Sequence, residues 1–236
     1  MKTVICTALG LVLAAGSGYP QDMGGSPKPE SQAGPKEELD KAAAKAGAMT
    51  NYSCTITLRL EGMGEGEGSQ PVELLIQPDS PWQLKAGDLE AFKKGETLAV
   101  KEGGAWKKLG RGSKPAQALG MVRGPHEVVK DLTSESFKEV KREDSEGGRC
   151  FTGELTLVAI RQLARGDRSL PKPTGTAKVW VNGEGAVTKY EIHIESKTKS
   201  ADGQEVAVKR TITAEIRDIG STKYEVPPEA AKALEG

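Results

Sequence analysis

The chain has 236 residues, with 33 basic and 33 acidic side chains and few aromatics. Balanced charge gives no overall electrostatic footprint for nucleic acid or an anionic membrane, although a local patch stays open. The length suits one domain with ample core.

The first stretch, MKTVICTALGLVLAAGSG, sets one positive charge, Lys2, before an apolar run and then small residues. That is the form of a secretory signal peptide, residues 1–18, cleaved near Gly16 to Gly18. The run is too short to span a bilayer, and no later segment is longer, so stable membrane insertion is not expected. A buried N-terminal helix is the alternative reading. A lipid-anchor signal places a cysteine just after the apolar run, whereas Cys6 lies inside it. The expected location is therefore periplasmic or secreted. Cleavage removes Lys2 and Cys6, leaving acids one ahead of bases and two cysteines, Cys54 and Cys150. An even number in an oxidising compartment suggests a disulfide. It would close a loop of roughly a hundred residues, worth about 4–5 kcal/mol in the chain-entropy model. Two buried free thiols are the alternative.

Residues 19–36, YPQDMGGSPKPESQAGPK, are rich in Pro, Gly and Ser and read as a disordered linker. Residues 37–236 then form a single domain. EELDKAAAKAGAM opens it with acids first and lysines later, which suits the helix dipole. Leu39, Ala42, Ala43, Ala46 and Met49 recur at helical spacing. The small residues on this face permit close packing on a sheet.

The period then changes to two. In YSCTITLRLEG, Cys54, Ile56, Leu58 and Leu60 share one face, and Thr55, Thr57, Arg59 and Glu61 the other. After the loop GMGEGEGSQ, Val72, Leu74 and Ile76 return inward. PWQLKAG, LEAFKKG and TLAVKEGGAWKKL read as short strands with Gly turns. Residues 117–132 suggest helical pieces broken at Gly124-Pro125. SFKEVKRED and GGRCFTGELT read as a hairpin, and LTLVAIRQLAR as an apolar helix ended by LPKP. A three-strand meander follows over 177–182, 187–198 and 205–216. Arg210 interrupts the apolar face of its last strand, by a pairing or a bulge. A last short strand and a tail end the chain. One-faced alternation belongs to antiparallel sheets with one wet face, so the class is α+β.

Few constellations point to chemistry. EIHIE lines up Glu191, His193 and Glu195 about 7 Å apart on one strand face. Lys189 and Lys197 continue that face, which reads as solvated. SKTK at Ser196–Lys199 has the S-x-x-K spacing of penicillin-binding-type acyltransferases, but on a strand the two side chains point to opposite faces. GMGEGEG lacks the Lys-Ser/Thr of a phosphate loop. NYS at Asn51 fits a glycosylation sequon. No catalytic group, metal site or cofactor is expected. What remains is shape: helices over an apolar sheet face, enclosing either a cavity or a plain filled core. Trp82, Trp106, Trp180, Phe92 and Tyr190 are the large side chains available for either.

The order of elements resembles the LolA-type lipoprotein carriers and their relatives, the RseB-like sensors and the LppX/LprG lipid-binding lipoproteins. An Ala-rich helix runs straight into the first strand in LDKAAAKAGAMTNYSCTITLRL. AKVWVNGEGAVTKYEIHIE supplies the strand–turn–strand form, and ITAEIRDIGSTKYEVPPEA the final strand, Gly break and Pro-flanked terminus. The resemblance implies an open antiparallel half-barrel with helices packed in its concave apolar face. It also implies a hydrophobic ligand: a small molecule, a lipid or an acylated protein. The expected ligand wall is Leu58, Leu60, Leu74, Ile76, Ile192 and Ile194, with Trp106 or Trp180 near the rim. The alternative is an interaction or sensor module with a filled core and an envelope protein as partner.

Overall fold

The computed structural model describes residues 33–62, 68–110, 119, 122–164, 171–199 and 204–235, with the side chains of 68–70 excepted. The expected signal peptide, the linker as far as residue 32, and residues 63–67 of the GMGEGEG loop lie outside them.

Among the described residues eleven antiparallel strands form one sheet, in the order β6-β5-β4-β3-β2-β1-β11-β10-β9-β8-β7. They are β1 (Tyr52–Glu61), β2 (Gly68–Ile76), β3 (Trp82–Ala86), β4 (Leu89–Lys94), β5 (Thr97–Glu102) and β6 (Ala105–Lys108), then β7 (Lys141–Ser145), β8 (Gly148–Glu154), β9 (Thr174–Asn182), β10 (Val187–Lys199) and β11 (Glu205–Arg217). Each half is a simple meander. The halves meet only where β1 pairs with β11, in unbroken register from Ser53↔Arg217 to Glu61↔Lys209. The sheet does not close, because β6 and β7 are its edges. The fold is an α+β open antiparallel half-barrel.

Arg210 marks no bulge: β11 runs in register through it against both neighbours, Leu60 and Ile194. The irregularity lies instead on β10, between Val187 and Lys189.

Among the described residues the α-helices with defined bounds are α1 (Pro35–Gly47), α2 (Pro125–Val129), α3 (Leu157–Leu163) and α4 (Pro228–Glu235). Helix α1 has Pro in its first turn with Glu37 and Glu38, and Lys45 in its last, all favourable to the helix dipole. It begins two residues ahead of the expected domain start. It buries Leu39, Ala42, Ala43 and Ala46 against the inner sheet face. Glu38 then ties it to the far edge through Arg142 and Arg149 at 3.0 and 3.1 Å.

The carboxyl end departs from expectation. Among the described residues no strand follows Arg217; residues 228–235 form α4, which packs on the outer face over β4–β6. There Ala230 and Leu234 meet Phe92 and Ala99 in a second small core, with Trp106 and Tyr224 at its margin. Strand β4 therefore buries both faces, Ala91 inward and Phe92 outward.

The expected Cys54–Cys150 disulfide is not formed; both thiols are free and buried. Register explains it. Cys54 pairs with Ile216 on the inner face, whereas Cys150 pairs with Trp180 on the outer. Four strand spacings part them, about 19 Å, against the roughly 7 Å between Cα atoms that a disulfide allows. Burial pushes the Cys54 thiol up to about 12. Burial, with Glu143 nearby, also raises that of Cys150. Both should resist a thiol reagent at neutral pH in the folded protein and react once it is unfolded. Mass spectrometry after alkylation checks this, and a pair still linked in unreduced, denatured protein would contradict it.

Candidate functional site

Strand register aligns the inner face in rows. One row runs Leu58, Ile212, Ile192, Ala177, and the next Leu60, Arg210, Ile194, Gly175. Burial falls along each row towards β1. Ala177 and Ile192 are 0% exposed, Ile212 is half-buried and Leu58 is 41% exposed. In the second row Ile194 is buried, while Arg210 and Leu60 are half-buried. Ile56 and Val72, paired side by side, are half-buried too. Cover explains the gradient: α1 lies against β10 and α3 against β9. An apolar wall is thus left partly open on β1, β2 and β11.

A groove of about 900 Å³ adjoins this wall. Its apolar lining comes from Leu155, Leu157 and Ile160 around α3 and from Pro173 and Ile194 on the strand side. Arg210, which sits beside Leu60 in the row, also lines it, so wall and groove are neighbours. Glu61, Lys138, Lys172 and Lys209 add charged groups to its lining.

The expected wall residues therefore divide. Leu74, Ile76, Ile192 and Ile194 are packed into the closed core. Leu58 and Leu60 stand at the open part. Trp180 pairs with Cys150 and Lys189, and so faces outward, with the Lys189 ammonium 5.1 Å from its ring centre. Trp106 also faces outward, stacked at 5.2 Å on Phe92. Neither tryptophan shares a face with Ile192. The sequence pattern put Ile56, Val72 and Ile212 on the apolar face without naming them among the ligand-wall residues, and it did not assign the groove residues from α3 to a site. The alternation of β11 carried the signal for Ile212.

No protein-family model and no curated protein sequence matches the chain. Among solved structures it is similar to LprF from Mycobacterium bovis, at 16% identity over 87% of this chain and 100% of that one, with a TM-score of 0.47. It is also similar to the lipoprotein LppX of Mycobacterium tuberculosis, at 14% identity over 80% and 97% of the two chains and a TM-score of 0.47. A LolA superfamily protein from Nitrosomonas europaea follows, at 13% identity over 80% and 93% and a TM-score of 0.32.

A polar cluster fastens α2 over the inner face. The Tyr52 hydroxyl lies 2.5 Å from His126 Nδ1, and Trp82 meets the same imidazole edge-on at 5.5 Å. Lys93 donates to the carbonyl of Val122 at 3.2 Å and lies 5.1 Å from the Trp82 ring centre. Arg123 reaches Asp131 at 2.7 Å and the Glu127 carbonyl at 2.6 Å. Gly124 is held tight here: a Cβ on it would stand 2.7 Å from the His126 ring and 2.8 Å from the Tyr52 hydroxyl.

Burial holds His126 below the usual imidazole range, opposed by Glu127 and reinforced by Lys130 and Arg123. The folded state therefore favours neutral His126. Its contribution to stability is complete above the ordinary histidine pKa of about 6.5 and declines as pH falls through that value, where the unfolded chain takes up the proton first. Thermal melts from pH 8 to 5 should show this loss, and His126→Gln, which keeps an acceptor for Tyr52, should lessen it. An unchanged slope in that variant would assign the loss to other groups.

His193 lies on the outer face, bonded to Glu191 on its own strand and 3.0 Å from Thr211 on β11. Among the described residues, no group of three or more His, Cys, Asp or Glu comes together as a metal site.

Proposed function

We propose that the chain is an extracytoplasmic binding protein for a hydrophobic ligand, a lipid or the acyl chain of a lipid-modified protein. It holds this ligand and does not transform it. The observation that carries the reading is the partly uncovered inner wall, Leu58 with Leu60 and Ile212, which the groove approaches at Arg210, the register partner of Leu60. An acyl chain laid there gains about 0.8 kcal/mol per buried methylene. Ten carbons therefore supply roughly 8 kcal/mol before ordering costs, enough for reversible binding. Export rests on the amino-terminal sequence, and N-terminal sequencing of envelope protein should begin near Ser17 or Tyr19.

A second reading, an interaction module with a filled core and an envelope protein partner, is favoured by the packing of Leu74, Ile76, Ile192 and Ile194, all 4% exposed or less. Native mass spectrometry and lipid extraction of protein purified from its own host separate the two, together with titration by a fluorescent fatty acid. Co-purified lipid and saturable micromolar binding support the first reading. Neither lipid nor saturation selects the second.

A further inference from the structure

Two adjacent side chains at the start of α3 have no apolar cover. Leu157 is 46% exposed and Val158 66%, the latter the most exposed large apolar side chain among the described residues. The helix itself is well made: Thr156 caps it by accepting from the Ala159 amide, and Ala159, Ile160 and Leu163 bury its other side. Ordinary amphipathic patterning puts polar residues at the two exposed positions. Here they stand at the groove, since Leu157 lines it and Val158 follows. A strand end far from the groove, at Ile219, carries the remaining exposed aliphatic outside the inner wall.

The surrounding charge favours one occupant. Arg161 is exposed on the same helix and Lys172 on the chain entering β9. Lys138, Lys209 and Arg210 also line the groove. Lys138 and Glu154 pair at 2.7 Å and cancel, Glu61 is bridged to Arg59 at 2.8 Å, and Glu195 stands opposite Lys209 across the strands, so the basic excess beside the exposed pair rests on Lys172 and Arg161. A small apolar tip within a basic surround is the chemistry that seats on an anionic lipid surface: the aliphatics enter the interface while lysine and arginine meet phosphates.

We propose that the first turn of α3 docks the protein reversibly on an anionic lipid bilayer, with the groove opening beside the contact. The proposal rests on the hydrophobic-ligand reading for its purpose, because a chain leaving the bilayer passes from Leu157 directly onto Ile160 and Ile194. Its geometry is separate, because Val158 and Arg161 do not line the groove.

The test is flotation of the full chain with vesicles of phosphatidylcholine, with and without phosphatidylglycerol. Each preparation is also titrated with a fluorescent fatty acid in the absence of vesicles. Binding should require phosphatidylglycerol and weaken with salt. Val158→Asp should reduce it by about tenfold, and Arg161→Glu should reduce it and flatten the salt dependence. Both variants should keep fatty-acid binding. Ile219→Asp, an exposed aliphatic change elsewhere, should leave flotation unchanged. Absence of flotation by the wild type, equal flotation of Val158→Asp, or an equal loss in Ile219→Asp would overturn the docking site. If fatty-acid binding stays saturable in those cases, the ligand reading stands and the exposed pair belongs to a protein contact. If fatty-acid binding alone fails, the ligand reading falls and the docking site remains.

Discussion

Replacing Ile192 by glutamate should unfold the protein. Ile192 is 0% exposed and sits in mid-sheet between Ile212 and Ala177. A carboxylate there has no cation in its row, and leaving it charged in apolar surroundings costs several kcal/mol even after relaxation. The lost isoleucine packing adds about 2–5 kcal/mol, as for truncation of a core aliphatic. The sum is comparable with the whole stability of a typical domain, about 5–15 kcal/mol. Circular dichroism and a urea titration of the purified variant provide the check. A folded variant with a normal midpoint would mean that this part of the inner face is open to solvent.

Leu58→Glu should do the opposite: leave the fold and remove the ligand. The side chain is 41% exposed, so the glutamate keeps contact with water in the empty protein, and the cost should stay within about 1 kcal/mol. A bound acyl chain would cover it. Burying the unpaired carboxylate, or driving it to protonate, should then weaken affinity by at least a hundredfold, corresponding to about 3 kcal/mol. Fluorescent fatty-acid titration beside a thermal melt reads both quantities. Wild-type affinity in a normally folded variant would move the ligand away from β1, and an unfolded variant would show Leu58 to be core. Set beside Ile192→Glu, the pair separates wall from core on one row of the same sheet.

Much of this architecture was legible in the residues. Alternation located β9, β10 and β11 to within a few residues of their ends, because each exposes one face and buries the other. The same alternation carried the facing of Trp180: it lies between Val179 and Val181, both buried, so its ring turns outward. Trp106 had no such guide, since Ala105–Lys108 is too short and too polar to set a parity. The closing segment reads in sequence as a last short strand and a tail without structure, although the tail's proline at 228, Glu229 and the Ala-Leu spacing that buries Ala230 and Leu234 are helix signals. What it covers could not be foreseen, because Phe92 pairs with Gln83 and Ala99 on a face expected to be wet. The disulfide failed for a related reason. Pairing order decides which strands are neighbours, and composition does not contain it. The gradient from Ile192 to Leu58 is likewise tertiary: the two share a pattern, and only the placement of α1 and α3 tells them apart.

The junction of β1 with β11 bears on how the chain reaches this state. Every other pairing in the sheet joins consecutive strands, whereas Ser53 must find Arg217 across most of the domain. Long closures of this kind slow folding, and they keep strand edges bare while the partner is sought. Until residues 205–217 are available, β1 is an apolar edge with Ile56, Leu58 and Leu60 alternating along it, a form that invites pairing with another copy. The seam is thus both the keystone of the finished sheet and its point of hazard during assembly. Truncation within β11 would leave two meanders with bare edges that stick to one another between molecules.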